Sequence, residues 1–106
     1  MATGILGTAN LAATTNTTVY TVPATTFTVV TVSICNRSAS TVTVRLAAAI
    51  SDTPANGEYL EFGTQVLANG VLERSGIVLD TGKRIVAYSS ATDVSVVVYG
   101  IETPTA

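Results

Sequence analysis

Histidine and tryptophan are absent from this chain, and lysine and cysteine each occur once, as Lys83 and Cys35. Without histidine, the chain lacks the commonest acid–base side chain and the commonest metal ligand. Only 11% of its residues are charged, against about 25% in an average soluble domain. A net charge of −2 with five scattered cations excludes the basic patch of a nucleic-acid-binding protein. We therefore expect no nucleic-acid partner, no metal site and no cofactor.

Export and membrane signals are also missing from the sequence. The start of the chain, residues 1–7, has neither the cationic residues nor the apolar run of a signal peptide. No segment approaches the roughly 18–20 apolar residues of a membrane span. We expect no membrane partner and synthesis in the cytoplasm, where Cys35 would stay reduced as a small, buried apolar residue.

Threonine, valine and alanine dominate the 106 residues, and threonine and valine favour pleated sheets. Short alternating segments recur about every 8–12 residues with turn residues between them, a spacing typical of sandwiches and jelly rolls. The sequence predicts an all-β fold, a single-domain antiparallel β-sandwich or jelly roll of about eight short strands. We expect an N-terminal arm at residues 1–10, the sandwich at residues 11–101 and a C-terminal tail at residues 102–106.

Two neighbouring segments carry the clearest strand patterns. Residues 26–29 alternate in one phase, whereas Val30, Val32 and Ile34 continue in the opposite phase, and such a slip predicts a β-bulge or a bend. Residues 41–46 then alternate cleanly after a turn-forming segment at residues 36–40. This arrangement predicts a β-hairpin.

Turn-forming residues and a final apolar strand complete the prediction. Residues 52–57 contain proline, asparagine and glycine and predict a loop, and Asn69-Gly70 is a tight-turn signal. Residues 71–79 indicate one or two strands around Gly76. Residues 94–99 are apolar on both faces, which is typical of a central strand or of one covered by a neighbour.

No set of side chains in the sequence suits catalysis. Cys35 would need a base beside it to act as a nucleophile, and the chain has no histidine to supply one. Glu58 and Glu61 are three residues apart, so on a strand they would point to opposite faces. We therefore expect a protein that is not an enzyme.

The amino-acid composition of the predicted surface is unusual. Positions expected at the surface hold threonine, serine, alanine, valine and asparagine, whereas sheet proteins normally protect their edges with charge, above all lysine. Interface cores are depleted in charged residues, so this composition indicates a protein covered by copies of itself or by a larger assembly. Our candidate interface residues are Ile5 and Leu6 in the arm, Tyr59 and Phe62 beside the long loop, and Arg74.

The sequence resembles the small β-rich virion structural proteins of tailed bacteriophages. Six segments carry the resemblance: residues 17–23, 32–37, 41–47, 57–61, 72–79 and 96–102. The resemblance implies a non-enzymatic building block, and it transfers no catalytic residue. It implies a location in the virion and, as partners, the major capsid protein or other virion proteins.

These considerations lead to one expected function with two alternatives. We expect a capsid decoration (cement) protein that binds across capsid subunits, forming a homo-oligomer with a trimer favoured. A tail, baseplate or fibre-adaptor component is the alternative within the same class, because small sandwiches recur throughout such particles. A carbohydrate-binding module is the alternative from another class, with Tyr59 and Phe62 as its aromatic platform.

Overall fold

Eight strands form two antiparallel sheets that pack face to face. The computed structural model describes residues 3–105. The strands are β1 (Thr3–Leu11), β2 (Thr17–Thr21), β3 (Thr26–Asn36), β4 (Val42–Ala49), β5 (Tyr59–Val66), β6 (Val71–Leu79), β7 (Arg84–Ser89) and β8 (Val94–Pro104). Sheet A has the strand order β1-β8-β3-β6 and sheet B the order β2-β7-β4-β5, and a single 3₁₀ turn at Asn56–Glu58 precedes β5.

The strand pairs are nested along the chain. β1 pairs with β8, β2 with β7, β3 with β6 and β4 with β5. The additional pairs β3 with β8 and β4 with β7 join these ribbons into sheets. A long antiparallel ribbon that is rolled up so that successive strands alternate between two sheets is a jelly roll. The predicted fold class is confirmed, and β8 is the central strand that its apolar pattern indicated.

Alternate side chains of both sheets fill the core. Val30, Val32 and Ile34 of β3 lie opposite β4 and β7 residues such as Leu46 and Ile85, and all five are buried. At the β1–β2 edge the two sheets come so close that a methyl group on Gly7 would overlap the carbonyl oxygen of Val19. Glycine is therefore required at this contact.

A buried asparagine links two of the segments that connect one sheet to the other. The Asn36 side chain is fully buried, and its amide nitrogen lies 2.7 Å, 3.1 Å and 3.2 Å from the carbonyl oxygens of Ser40, Val66 and Leu67. Its side-chain oxygen accepts hydrogen bonds from the backbone N–H and the hydroxyl of Ser38. Asn36 thereby holds the β3–β4 connection against the end of β5.

The predicted hairpin between β3 and β4 is wrong. The two strands lie in different sheets, and residues 37–41 carry the chain from one sheet to the other. The tight turn at Asn69-Gly70 likewise connects β5 of sheet B to β6 of sheet A. Only β4 and β5, separated by the predicted loop, are consecutive strands that pair within one sheet.

The β-bulge predicted at the phase slip is present in the ladder of β3 and β6 at Val30–Val32, but it is not in β3 itself. The strand pairs with β8 without interruption from Thr26 to Asn36, so the side-chain alternation continues through the apparent phase slip. The bulge lies on the partner strand instead, because β6 passes Gly76, at φ +72°, in the one register shift between β3 and β6. Residues 26 and 28 consequently point into the core, and residues 27 and 29 point outward.

The expected terminal arm and tail belong to sheet A. Residues 3–11 form the edge strand β1, paired with β8, and β8 itself continues to Pro104. Residues 1, 2 and 106 lie outside the described part of the chain. The N-terminal residues contain glycine and few large apolar side chains because β1 is an edge strand that is exposed along much of its length. Cys35 was expected to be buried, but it is half-buried on the outer face of β3.

We expect Asn36→Ala to lower the free energy of unfolding by about 2–3 kcal/mol, because it leaves buried backbone carbonyl groups without donors. Ser33→Ala, on the outer face of the same strand, is the matched control and should change it by less than about 0.5 kcal/mol. Urea unfolding of the three proteins measures both values. Equal stability of the two variants would contradict a bracing role for Asn36.

Candidate functional site

One end of the outer face of sheet A is apolar across all four strands. We call this surface the apolar face and define it by Ile5, Val29, Val78, Tyr99 and Ile101. In the strand register Ile101 pairs with Val29, which pairs with Val78, and Tyr99 pairs with Ile5. Directly opposed side chains have Cβ atoms about 4.5–5.5 Å apart, so these residues form a continuous surface. Ile5 is 71% exposed and Ile101 54% exposed.

The interior beneath the apolar face contains several polar groups. Thr26 and Thr28 are buried, and the Tyr20 hydroxyl donates a 2.6 Å hydrogen bond to Glu102 from the facing sheet. Burial, followed by the hydrogen bond to Glu102, raises the pKa of Tyr20 well above its usual range. Hydroxyl and carboxyl groups therefore lie inside while Val29 and Ile101 lie outside, the reverse of the usual distribution in a solvated sheet.

The outer face of sheet B is partly covered by the β4–β5 loop. Asp52 in this loop accepts hydrogen bonds from the Thr18 hydroxyl at 2.6 Å and from Arg84 at 2.9 Å. These bonds, with that of Thr18 the stronger cause, lower the pKa of the Asp52 carboxyl. The loop is thus fixed to β2 and β7. Three small apolar residues are buried on this outer face: Ala47, Ala49 and Val86.

A cluster of aromatic rings around an arginine lies beside this loop. We call it the aromatic site and define it by Arg45, Asn56, Tyr59, Phe62 and Tyr88. Arg45 pairs with Phe62 of β5 on one side and with Tyr88 of β7 on the other. Its guanidinium carbon lies 4.3 Å and 4.4 Å from the centroids of these two rings, within the range of cation–π attraction.

A shallow, open concavity lies beside the Phe62 ring, against which the Arg45 guanidinium packs. Its volume is about 500 Å³, and it is lined by Asn56, Tyr59 and Phe62. The rings of Tyr59 and Phe62 meet edge to face with centroids 4.9 Å apart, and Phe62 is 62% exposed. The Phe62 ring therefore contacts both the concavity and the Arg45 guanidinium.

Arg45 differs from the other cations in the described residues. Arg74, Lys83 and Arg84 form ion pairs, and Arg37 donates to the side chain of Asn10. Within residues 3–105 the Arg45 guanidinium makes neither an ion pair nor a hydrogen bond, and only the two rings hold it. Its charge and its N–H groups are available to a ligand.

The five predicted interface residues do not form one site. Tyr59 and Phe62 come together in the aromatic site, whereas Ile5 lies on the apolar face of the opposite sheet. Leu6 packs against the core. Arg74 lies at the edge shared by the sheets and donates a 2.7 Å hydrogen bond to Glu61, so its charge is already paired.

Sequence reasoning missed Arg45, Tyr88, Val29 and Ile101. The alternation of residues 41–46 places Arg45 on the outer face of its strand, but the aromatic residues beside it come from β5 and β7, and the sheet order decides which strands flank it. The outward position of Val29 could have been predicted from the sequence. Val29 and Val30 are adjacent and apolar, so on an unbroken strand one of them must face outward, and no bulge in β3 is needed to explain the pattern.

The carboxylates considered for catalysis make structural contacts. Glu58 accepts hydrogen bonds from the backbone N–H groups of Ala55 and Ile50 beside the 3₁₀ turn. Glu61 bonds to Thr64 and Arg74. Residues 3–105 contain no group of three histidine, cysteine, aspartate or glutamate side chains placed to hold a metal ion. In the same range, no helix has the length and apolar character needed to cross a membrane.

Neither a protein-family profile nor a curated protein sequence matches the chain. The two surfaces described above, the apolar face and the aromatic site, are accordingly the features from which a function is argued.

The Glu61–Arg74 contact predicts a pH dependence of stability. The Thr64 hydroxyl and, next, Arg74 lower the pKa of Glu61 below its ordinary value of 4.5. A carboxyl whose pKa falls on folding contributes stability above its unfolded-state pKa and loses that contribution as the pH falls through its folded-state pKa. We expect the melting temperature of Glu61→Gln to lie below that of the natural protein at pH 7 and the difference to shrink towards pH 3. A difference independent of pH, measured by thermal unfolding, would exclude this contribution.

Proposed function

We propose that this protein is a non-enzymatic structural component of a bacteriophage virion, which decorates the capsid and stabilises it by binding across neighbouring subunits. The observation that carries the proposal is the apolar face. Exposed apolar surface that spans four strands, over an interior with buried hydroxyl groups, is explained if another protein covers it. Val29 and Ile101 lie at its centre.

The remaining surface supports the same role. The described part of β1 is an edge strand without a charged residue, although sheet proteins normally protect such edges with charge. Neutral surfaces of this kind are typical of interfaces, whose cores are depleted in lysine, glutamate and aspartate. Jelly rolls also recur in viral capsid proteins, but this analogy concerns the fold alone.

The proposed mechanism is added contact area between subunits that the pressure of packaged DNA pushes apart. Burying one large apolar side chain contributes about 1.5–3 kcal/mol of gross driving force. The net affinity of one copy is lower, because association costs translational and rotational freedom. Many symmetric copies that bind as a trimer or another homo-oligomer would multiply the stabilisation through avidity.

The direct test uses virions of the phage whose genome carries this gene, purified from a lysate of infected host cells. Mass spectrometry should detect the chain in the particles, and its amount relative to the major capsid protein gives its copy number. Hundreds of copies per particle support decoration of the head, whereas a few to a few dozen indicate a tail, baseplate or fibre-adaptor component. Absence from the particles would overturn the proposal.

We expect Ile101→Lys to weaken attachment to capsids by about tenfold or more, because it places a charge at the centre of the apolar face. Ile50→Lys is the matched control, since Ile50 is 63% exposed and lies outside that face, and it should attach normally. Co-sedimentation of each purified variant with undecorated capsids measures the binding. Equal binding of the two variants would rule out the apolar face as the contact.

A further inference from the structure

We propose that the aromatic site binds an acidic saccharide, a pyranose ring that carries a carboxylate, such as a sialic acid or a uronic acid. The site lies on sheet B, whereas the apolar face lies on sheet A, so the inference is independent of the role in the virion. A copy attached through sheet A would leave the aromatic site facing away from the attachment surface.

The first argument is the state of Arg45. Its guanidinium is held between Phe62 and Tyr88, and it has neither an ion-pair partner nor a hydrogen-bond acceptor within residues 3–105. Stacking against rings leaves the in-plane N–H groups of a guanidinium free, and a planar pair of these groups matches the two oxygens of a carboxylate. The rings also reduce the side-chain entropy that binding would otherwise remove.

The second argument is the concavity beside this arginine. A volume of about 500 Å³ lies within the roughly 300–1,000 Å³ of small-molecule sites. An exposed ring such as Phe62 presents an apolar face on which the C–H groups of a sugar can pack. The Asn56 side chain, at the rim formed by the 3₁₀ turn, supplies both a donor and an acceptor for hydroxyl groups.

The form of the site favours a saccharide over an acidic peptide. The concavity is closed on one side by the β4–β5 loop, which the Asp52 contacts fix to β2 and β7. An extended peptide binds most readily along an open sheet edge, where backbone groups are unpaired. Tyr59 and Phe62 lie on the edge strand β5, but the charge that would hold the ligand, Arg45, lies one strand further in, on β4, which is paired on both sides. A compact ring needs no such edge.

Binding of sialyllactose, with lactose as its neutral counterpart, and of trigalacturonate tests the proposal. Titration of the isotope-labelled full-length protein, followed by amide chemical shifts, gives both the affinity and the location. We expect the two acidic sugars to shift resonances of β4, β5 and the 3₁₀ turn, and lactose to bind at least about tenfold more weakly than sialyllactose.

Variants then separate the carboxylate contact from the ring contact. Arg45→Gln should weaken sialyllactose about tenfold or more and bring its affinity to that of lactose, while Arg45→Lys should retain an intermediate affinity. Phe62→Ala should weaken both sugars. Arg74→Gln is the matched control, because Arg74 lies on β6 of sheet A and its charge is already paired with Glu61, and it should bind as the natural protein does. The amide spectrum of each variant verifies its fold.

Three results would overturn the inference. They are an absence of shifts with both acidic sugars, equal affinities for sialyllactose and lactose, and unchanged sialyllactose binding by a folded Arg45→Gln variant. Tetraglutamate serves as the acidic peptide, and if it bound at these residues more tightly than sialyllactose, the site would be assigned to a protein partner instead. Each of these results leaves the virion experiment unaffected, so the two proposals fail separately.

Discussion

The alternation of side chains along an unbroken strand is the constraint on which this structure depends. β3 pairs with β8 over its whole length, so Val30 and Val32 can face the core only if Val29 faces outward. The strand thereby places an apolar residue on the surface and the hydroxyl of Thr28 inside. β8 follows the same alternation, so Ile101 faces outward beside Val29. The apolar face therefore results from pairing two strands whose inward side chains form the core.

The two faces of the sandwich differ in how their apolar residues are covered. On sheet B the Tyr59 side chain packs against Ala47 and Val86, and Asp52 bonds the β4–β5 loop to the neighbouring strands β2 and β7, so the chain covers part of its own surface. On sheet A no described segment lies over Val29 and Ile101. This difference assigns assembly to sheet A in our proposal. On sheet B it leaves an open concavity beside the half-buried Arg45, which lies between two rings.

The sequence was sufficient for most of the strands, β1 excepted, and insufficient for their arrangement. Alternation and turn residues predicted the number of strands, the loop before β5 and the tight turn at Asn69-Gly70, because these are local properties. The pairing of β3 with β8 was not predictable in this way, since it joins residues about 70 positions apart and depends on the global topology. Tyr59 and Phe62 were predicted as an aromatic platform, but Arg45 joined them only once the sheet order placed β4 beside β5. The roles of both surfaces stay predictions.

The nested pairing of the strands also determines how far apart in the chain the contacting residues lie. Only β4 and β5 are partners that follow each other directly, and the outermost pair brings the first strand to the last. Closing such long loops costs entropy before the distant contacts form, and proteins with this property fold slowly. The β4–β5 hairpin therefore closes the shortest loop between paired strands, and the pairing of β1 with β8 closes the longest. Since β1 and β8 carry Ile5, Tyr99 and Ile101, the apolar face is complete only when the first and the last strand of the fold have paired.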